Sequence, residues 1–305
     1  LHFEYTDQKP SEKFMWAKMR NWLSFWLPVL AVILGLFTTA QARAGGDWRC
    51  LQPGLWLQIF EPKVEVRAGE EQLYISVLKV DPAAYDFHLL TASEQGEGNK
   101  TLPQWLGSHQ LHAATNAGMF WKDQQTSTGF MKNFGHINNK IIHPKYDGFL
   151  VFNPIHSSLP QIQIIDRKHY PQWREALDKY NTVLQSFRMI SVEGENVWEQ
   201  GSKKFSVASI GITNAGKVLF IFCQTPISIH DLNKVLVQLP LDMKNAIFLE
   251  GGPTAGLVVE TRDFTQGWKG SAETFLWSDA PSTFPSVPNV IGITPKHKDT
   301  ICCDD

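Results

Sequence analysis

Cysteine is scarce in this sequence, and so is any excess of one charge. Its 305 residues carry 4 cysteines and 28 Lys and Arg against 30 Asp and Glu, for a formal net charge of −2. The basic residues are scattered, which leaves no electrostatic footprint for nucleic acid and excludes that class of partner. Neither a CxxC nor an HExxH spacing occurs, so the common structural and catalytic zinc patterns are missing. No internal repeat and no low-complexity linker divides the chain. What is present, 43% apolar and 19% charged residues, is enough to bury a full core without a bias to disorder.

The N-terminal segment reads as a leader. Lys13, Lys18 and Arg20 precede an apolar run from Trp22 to Thr39, and Ala42-Arg43-Ala44 offers a small-x-small cleavage pattern before Gly45. Residues 1–44 are therefore expected to be a signal peptide, or an N-terminal anchor if uncleaved, since the run approaches bilayer length. The expected location is exported, periplasmic or secreted, with membrane contact only through an uncleaved leader. Export permits disulfides, and Cys50 with Cys302 or Cys303 is the expected bridge, because adjacent cysteines rarely close on each other. Cys223 ends the run Val218-Leu219-Phe220-Ile221-Phe222 and reads as a small buried hydrophobe.

Short apolar runs dominate the rest. Leu55–Phe60, Leu73–Val80, Ala113–Thr115, Phe149–Phe152, Ile162–Ile165, Val183–Leu184, Ala208–Ile212, Val218–Phe222, Ile247–Leu249 and Val290–Ile293 all read as strands. Helices are expected over Thr101–Gly107, with Thr101 as N-cap, over Pro171–Tyr180, and over Ser228–Leu239 with Ile229, Leu232, Val235, Leu236 and Leu239 on one face. This pattern predicts an α+β fold, a mixed β-sheet core with a few packed helices, as a single domain over residues 45–305. The stretch from Asp263 to Pro288, rich in Gly, Ser and Pro, reads as a long surface excursion.

Three short elements carry the chemistry. The apolar run Ala246-Ile247-Phe248-Leu249 stops at Glu250-Gly251-Gly252-Pro253-Thr254. A carboxylate thus surfaces at a strand end, before glycines that let amide groups approach a ligand closely. Thr115-Asn116-Ala117-Gly118-Met119-Phe120 ends another strand in a polar residue and a tight turn. Gln185-Ser186-Phe187-Arg188 offers a hydroxyl and a guanidinium after a third.

Taken in order, these elements resemble the phosphodiester glycosidase family. Asn116-Ala117-Gly118-Met119-Phe120 is similar to the family's Asn-(Gly/Ala)-Gly turn, Gln185-Ser186 to its Gln-Ser step, and Ser209-Ile210-Gly211-Ile212 to its Ala-x-Gly-x strand. Leu249-Glu250-Gly251-Gly252-Pro253-Thr254 resembles its Leu-Asp-Gly-Gly-x-Ser, with Glu where the family usually has Asp, and Val207 stands where it often has Arg.

The resemblance implies an exported hydrolase that cleaves a sugar from a small-molecule or glycan sugar-1-phosphodiester. Such chemistry needs stabilised oxocarbenium character, a neutralised phosphate and a positioned water or nucleophile. Glu250 is the expected general base or electrostatic stabiliser, Asn116 orients a hydroxyl or the carboxylate, and Arg188 binds phosphate. Gly251 and Gly252 supply amides, Ser186, Ser209 and Thr254 donate hydrogen bonds, and Met119 and Phe120 line the substrate. Loop tryptophans such as Trp121, Trp173, Trp198 and Trp268 offer stacking faces for sugar rings. No cofactor is expected. A divalent cation on Glu250, Asn116 and backbone oxygens is the lesser alternative, because hard-cation sites gather more carboxylates than lie nearby. Two other functional readings stand beside the hydrolase: a glycan- or sugar-phosphate-binding module of the same fold without turnover, and a membrane-anchored envelope scaffold.

Overall fold

A computed structural model describes residues 47–66, 69–272 and 283–296. The expected leader, Cys302 and Cys303 lie outside the described residues. Three sheets with a few short helices make up most of the fold, which fits the α+β class expected, while the pairing among the described strands is antiparallel where a mixed sheet core was expected. The largest has seven strands in the order Arg49–Gln52, Leu55–Phe60, Ile75–Val80, Val218–Ile227, Phe205–Thr213, Met243–Gly251, Arg188–Ile190. A second runs His136–Asn139, Met131–Asn133, Tyr180–Ser186, Gly148–Pro154, Ile162–Asp166. The third runs Phe264–Lys269, Gly256–Thr261, Ala113–Asn116, Asn289–Pro295, Tyr85–Thr91.

Side-chain alternation explains the assembly. One face of every sheet enters a shared core: Leu78, Phe220 and Ile247 from the first, Leu150, Phe152 and Leu184 from the second, Ala113, Leu257 and Ile291 from the third. The intervening residues point outward, and a short helix covers each back. Helix Ile229–Leu236 packs Ile229, Leu232 and Leu236 on Val77, Ile221 and Phe248. Helix Trp173–Leu177 covers Phe149, Val151 and Val183. Helix Leu102–Ser108 sets Leu102 and Trp105 against Ala114, Val258 and Val290. Strands buried on both faces read as continuous apolar runs, which is why the runs named above fall within strands, except that Leu73 and Tyr74 precede the strand Ile75–Val80.

Local chemistry fixes the helix starts. Thr101 accepts from the Gln104 amide while the Gln104 side chain accepts from the Thr101 amide, a reciprocal cap. Ser228 accepts from the Asp231 amide at 3.1 Å. The expected helix over Pro171–Tyr180 is shorter, Trp173–Leu177, because the strand Tyr180–Ser186 claims its end. The expected excursion after Asp263 begins instead with the strand Phe264–Lys269, hydrogen-bonded along Gly256–Thr261. Cys50 is disulfide-bonded. Cys223 is free and fully buried, its thiol pushed up to about 12 by that burial.

Candidate active site

The strand Met243–Gly251 pairs along Phe205–Thr213, and the pairing carries a bulge where the site begins. Ser209 faces Phe248, but Ala208 faces Glu250, so Leu249 is an extra residue. Leu249 and Glu250 therefore share the inner face with Ala208, whereas Phe248 and Val207 point to the helix-covered back. Glu250 ends up 9% exposed. Its Oε1 accepts from the Gly251 amide at 2.9 Å. Burial pushes the carboxyl up to about 7, and the Gly251 amide offsets only part of that effect.

The two glycines serve different ends. Gly251 is extended at φ −137°, and a Cβ there would lie 2.6 Å from the Phe205 ring. Gly252 adopts a left-handed φ of +74°, which turns the chain into the short helical turn Gly252–Thr254. Asn116 holds that turn from the neighbouring sheet. Its Nδ2 donates to the Thr254 carbonyl at 2.9 Å, and its Oδ1 accepts from the Gly256 amide at 2.9 Å. Asn116 is 1% exposed, so its amide braces the turn behind Glu250. Asn116→Ala removes both bonds and strands two backbone groups, at an expected loss of about 2–4 kcal/mol. Urea unfolding of the variant checks this, and an unchanged midpoint would contradict the bracing role.

Gln185 builds the opposite wall. Its Nε2 donates to the His143 and Tyr146 carbonyls at 2.9 and 2.8 Å, while its Oε1 accepts from the Phe130 and His143 amides at 3.0 and 2.8 Å. All four hydrogen-bonding positions of the amide are filled. This fixes the loop that carries Tyr146, a residue the sequence reading passed over. Its ring stacks on His143 with centroids 3.8 Å apart and meets Phe187 at 4.2 Å. The Phe187 carbonyl accepts from the Phe248 amide at 3.0 Å, tying this wall to the Glu250 strand. Burial raises the Tyr146 phenol, the bond to Thr128 lowers it, and the Glu250 carboxylate raises it further.

The other expected site residues divide between the two faces. Ser186 lies on the inner-facing side of its strand with Leu184, and its buried hydroxyl has no protein partner. Ser209 faces the back of the large sheet opposite Phe248, so the sheet separates it from Glu250. The Met119 carbonyl accepts from the Thr128 amide and hydroxyl, and Phe120 bridges to Ser127. The Thr254 hydroxyl donates to Gly251 at 3.4 Å.

Arg188 pairs through Nη1 with Asp166 at 2.7 Å. It also lines a cleft of about 370 Å³ with Lys145, Phe187, Trp198 and Glu199. Of the expected stacking tryptophans, Trp198 faces this cleft and Trp121 is 52% exposed, whereas Trp173 and Trp268 are buried. Among the described residues, no three His, Cys, Asp or Glu side chains gather as a metal cage.

Two solved structures share the fold. The catalytic domain of zebrafish N-acetylglucosamine-1-phosphodiester alpha-N-acetylglucosaminidase, auto-inhibited by its pro-peptide, aligns at TM-score 0.57 with 12% identity, covering 82% of this chain and 86% of that one. A hypothetical protein from Synechocystis aligns at TM-score 0.54 with 14% identity, covering 83% of this chain and 64% of that one. A comparison with curated proteins gives no match. The phosphodiester glycosidase family model matches residues 109–294, a span that holds the Asn116 turn, Gln185-Ser186, the bulged strand and Glu250-Gly251-Gly252. The chain belongs to the phosphodiester glycosidase family.

Proposed function

We propose that the protein is an exported hydrolase that cleaves a sugar from a sugar-1-phosphodiester, with Glu250 as the general base. The observation that carries this reading is the buried carboxyl of Glu250, held near 7 at the end of the bulged strand. A base with that affinity takes a proton from water far better than an ordinary carboxylate does and is still ionised in good measure at neutral pH. In the reaction a water oxygen bonds to the anomeric carbon as its proton passes to Glu250. The bond from that carbon to the phosphate oxygen breaks, and its electron pair leaves with the phosphomonoester.

Phosphate is a good leaving group, so no second carboxylic acid is required. The cleft supplies what the departing group needs. Its lining holds Lys145 and Arg188 beside Asp147 and Glu199, together with the rings of Phe187 and Trp198, and the two cations are assigned to the phosphate. Ser186 brings its unpartnered hydroxyl to the inner side. Asn116 acts through the turn it braces. Export rests on the leader composition, and no helix among the described residues is long and apolar enough to cross a membrane.

The test is release of free sugar from a panel of sugar-1-phosphodiesters by the full chain, with and without chelator. Turnover is the expected result, and the chelator arm reads any metal requirement. Sugar-phosphate binding without turnover on the whole panel would replace the hydrolase with a binding module. Neither binding nor turnover would remove both.

A further inference from the structure

Two charges in the cleft beside Phe187 are left over once its ion pairs are counted. Arg188 is paired with Asp166, and Asp147 with Arg167. That leaves Lys145 and Glu199, which line the same cleft as Trp198 and have no ion-pair partner among the described residues.

Both walls that carry these charges are fixed. On one side Gln185 Nε2 donates to the His143 and Tyr146 carbonyls, which bracket Lys145, and the Lys145 amide donates to His143 Nδ1 at 3.3 Å. On the other, the Val197 amide donates to the Met189 carbonyl at 3.2 Å, and the Trp198 amide to Asn196 Oδ1 at 3.1 Å. Asn196 is itself held. Its Oδ1 also accepts from Asn233 Nδ2 at 2.8 Å, and its Nδ2 donates to the His230 carbonyl at 2.9 Å, both on the helix Ile229–Leu236. The Trp198 ring packs on Phe187 and Phe248, with centroids 5.2 and 5.8 Å away. Lys145 and Glu199 thus extend from anchored backbone into one cleft of about 370 Å³ without pairing with each other.

A phosphodiester carries a single negative charge. Set against Lys145 and Arg188 that charge is met, but the Glu199 carboxylate then shares the cleft with an anion and nothing offsets it. A ligand whose charge ended at the phosphate would leave this repulsion standing. One with an ammonium beyond the phosphate relieves it, and an indole beside the carboxylate attracts a cation through its ring face. We propose that the group beyond the phosphate bears a cationic amine, so that the cleft takes a zwitterionic phosphodiester with Lys145 and Arg188 on its phosphate and Glu199 and Trp198 on its ammonium. This rests on the reading of the cleft as the phosphate site of a sugar-1-phosphodiester.

Two isosteric probes isolate the ammonium: methyl 2-aminoethyl phosphate and methyl propyl phosphate, which differ by one charge. In ligand-observed NMR titrations of the full chain at neutral pH, the aminoethyl diester is expected to bind about tenfold tighter. Added salt should narrow that gap, because both charged side chains are exposed. Glu199→Gln should abolish the preference, whereas Lys145→Gln should weaken both probes and leave their ratio. Surface substitutions of this kind spare the fold. Equal affinities, no binding of either probe, or a preference that survives Glu199→Gln overturns the proposal. Hydrolysis is read separately on sugar-1-phosphodiesters carrying the same two aglycones. A binding preference with no turnover of either would refute the hydrolase while the ammonium site stood, and turnover of both without a binding preference would do the reverse. Displacement of the aminoethyl probe by phosphatidylethanolamine vesicles but not by the sugar-1-phosphoethanolamine would give the cleft to a lipid headgroup and overturn the proposal as well.

Discussion

Glu250→Gln is expected to stop hydrolysis and, at the same time, to make the protein more stable. Removing the group that takes the proton should lower kcat by about 10³-fold or more, since general acid–base catalysis alone contributes about 10²–10⁴. The stability gain follows from the same burial. Below the ordinary carboxyl range both folded and unfolded chains hold the proton, and Glu250 costs nothing. As pH rises from 4.5 to about 7 the unfolded chain releases its proton first, so folded stability is lost across that window. The full difference corresponds to about 3 kcal/mol above neutrality. Melting at pH 8 should therefore place Glu250→Gln above the parent, while melting at pH 4 should bring the two together. Activity of the parent should climb through about pH 7 as the base ionises. A variant no more stable at pH 8 than the parent would mean that the carboxyl is not held out of water as described. Sites that give up stability to keep a reactive group in place behave in this way.

Arg188→Ala should do the reverse, weakening the fold as well as the cleft. Asp166 is 2% exposed, and its Oδ2 meets Arg188 at 2.7 Å while Oδ1 accepts from the Lys168 amide at 2.9 Å. Removing one partner of such a pair leaves a charge buried and uncompensated, which costs about 3–5 kcal/mol. A melting temperature lower by about 10 °C is the expected outcome. Asp166→Asn in the Arg188→Ala background should recover much of that loss, because the stranded charge is then gone. Sugar-phosphate affinity should stay low in both, since the guanidinium in the cleft is missing from both. If the double variant melts as low as Arg188→Ala, Arg188 acts through its packing beside Gly148 and Ile247 and not through the ion pair.

How far the sequence carried depends on what kind of contact each residue makes. The runs at Phe149–Phe152 or Val218–Phe222 declare themselves because both faces of their strands are buried. Phe264–Lys269 hides, since three successive residues, Thr265, Gln266 and Gly267, are exposed and its glycine and polar content mimics a loop. Glu250-Gly251-Gly252 was legible because a buried run ending in a carboxylate and two glycines is unusual in itself. The turn at Asn116 stands out in the sequence, but its bonds do not, as its backbone partners at Thr254 and Gly256 lie more than a hundred residues away. Tyr146 gave no signal at all. It sits in a loop of ordinary composition, and its importance comes from Gln185, Thr128 and Phe187, none of which adjoins it in the chain.

The bulge at Leu249 bears on how relatives of this chain are to be aligned. Anyone counting the strand by twos from Phe248 would assign Glu250 to the helix-covered side, beside Val207, and judge it part of a second apolar layer. The extra residue shifts the count by one, so the carboxylate emerges on the side its spacing forbids. A homologue without the extra residue would place its acid directly after the back-facing Phe248 position, opposite the Ala208 position and still on the inner face, so the two strands match only with a gap at Leu249. Gap placement in this short stretch, more than the identity of the acid, decides whether two sequences describe the same site.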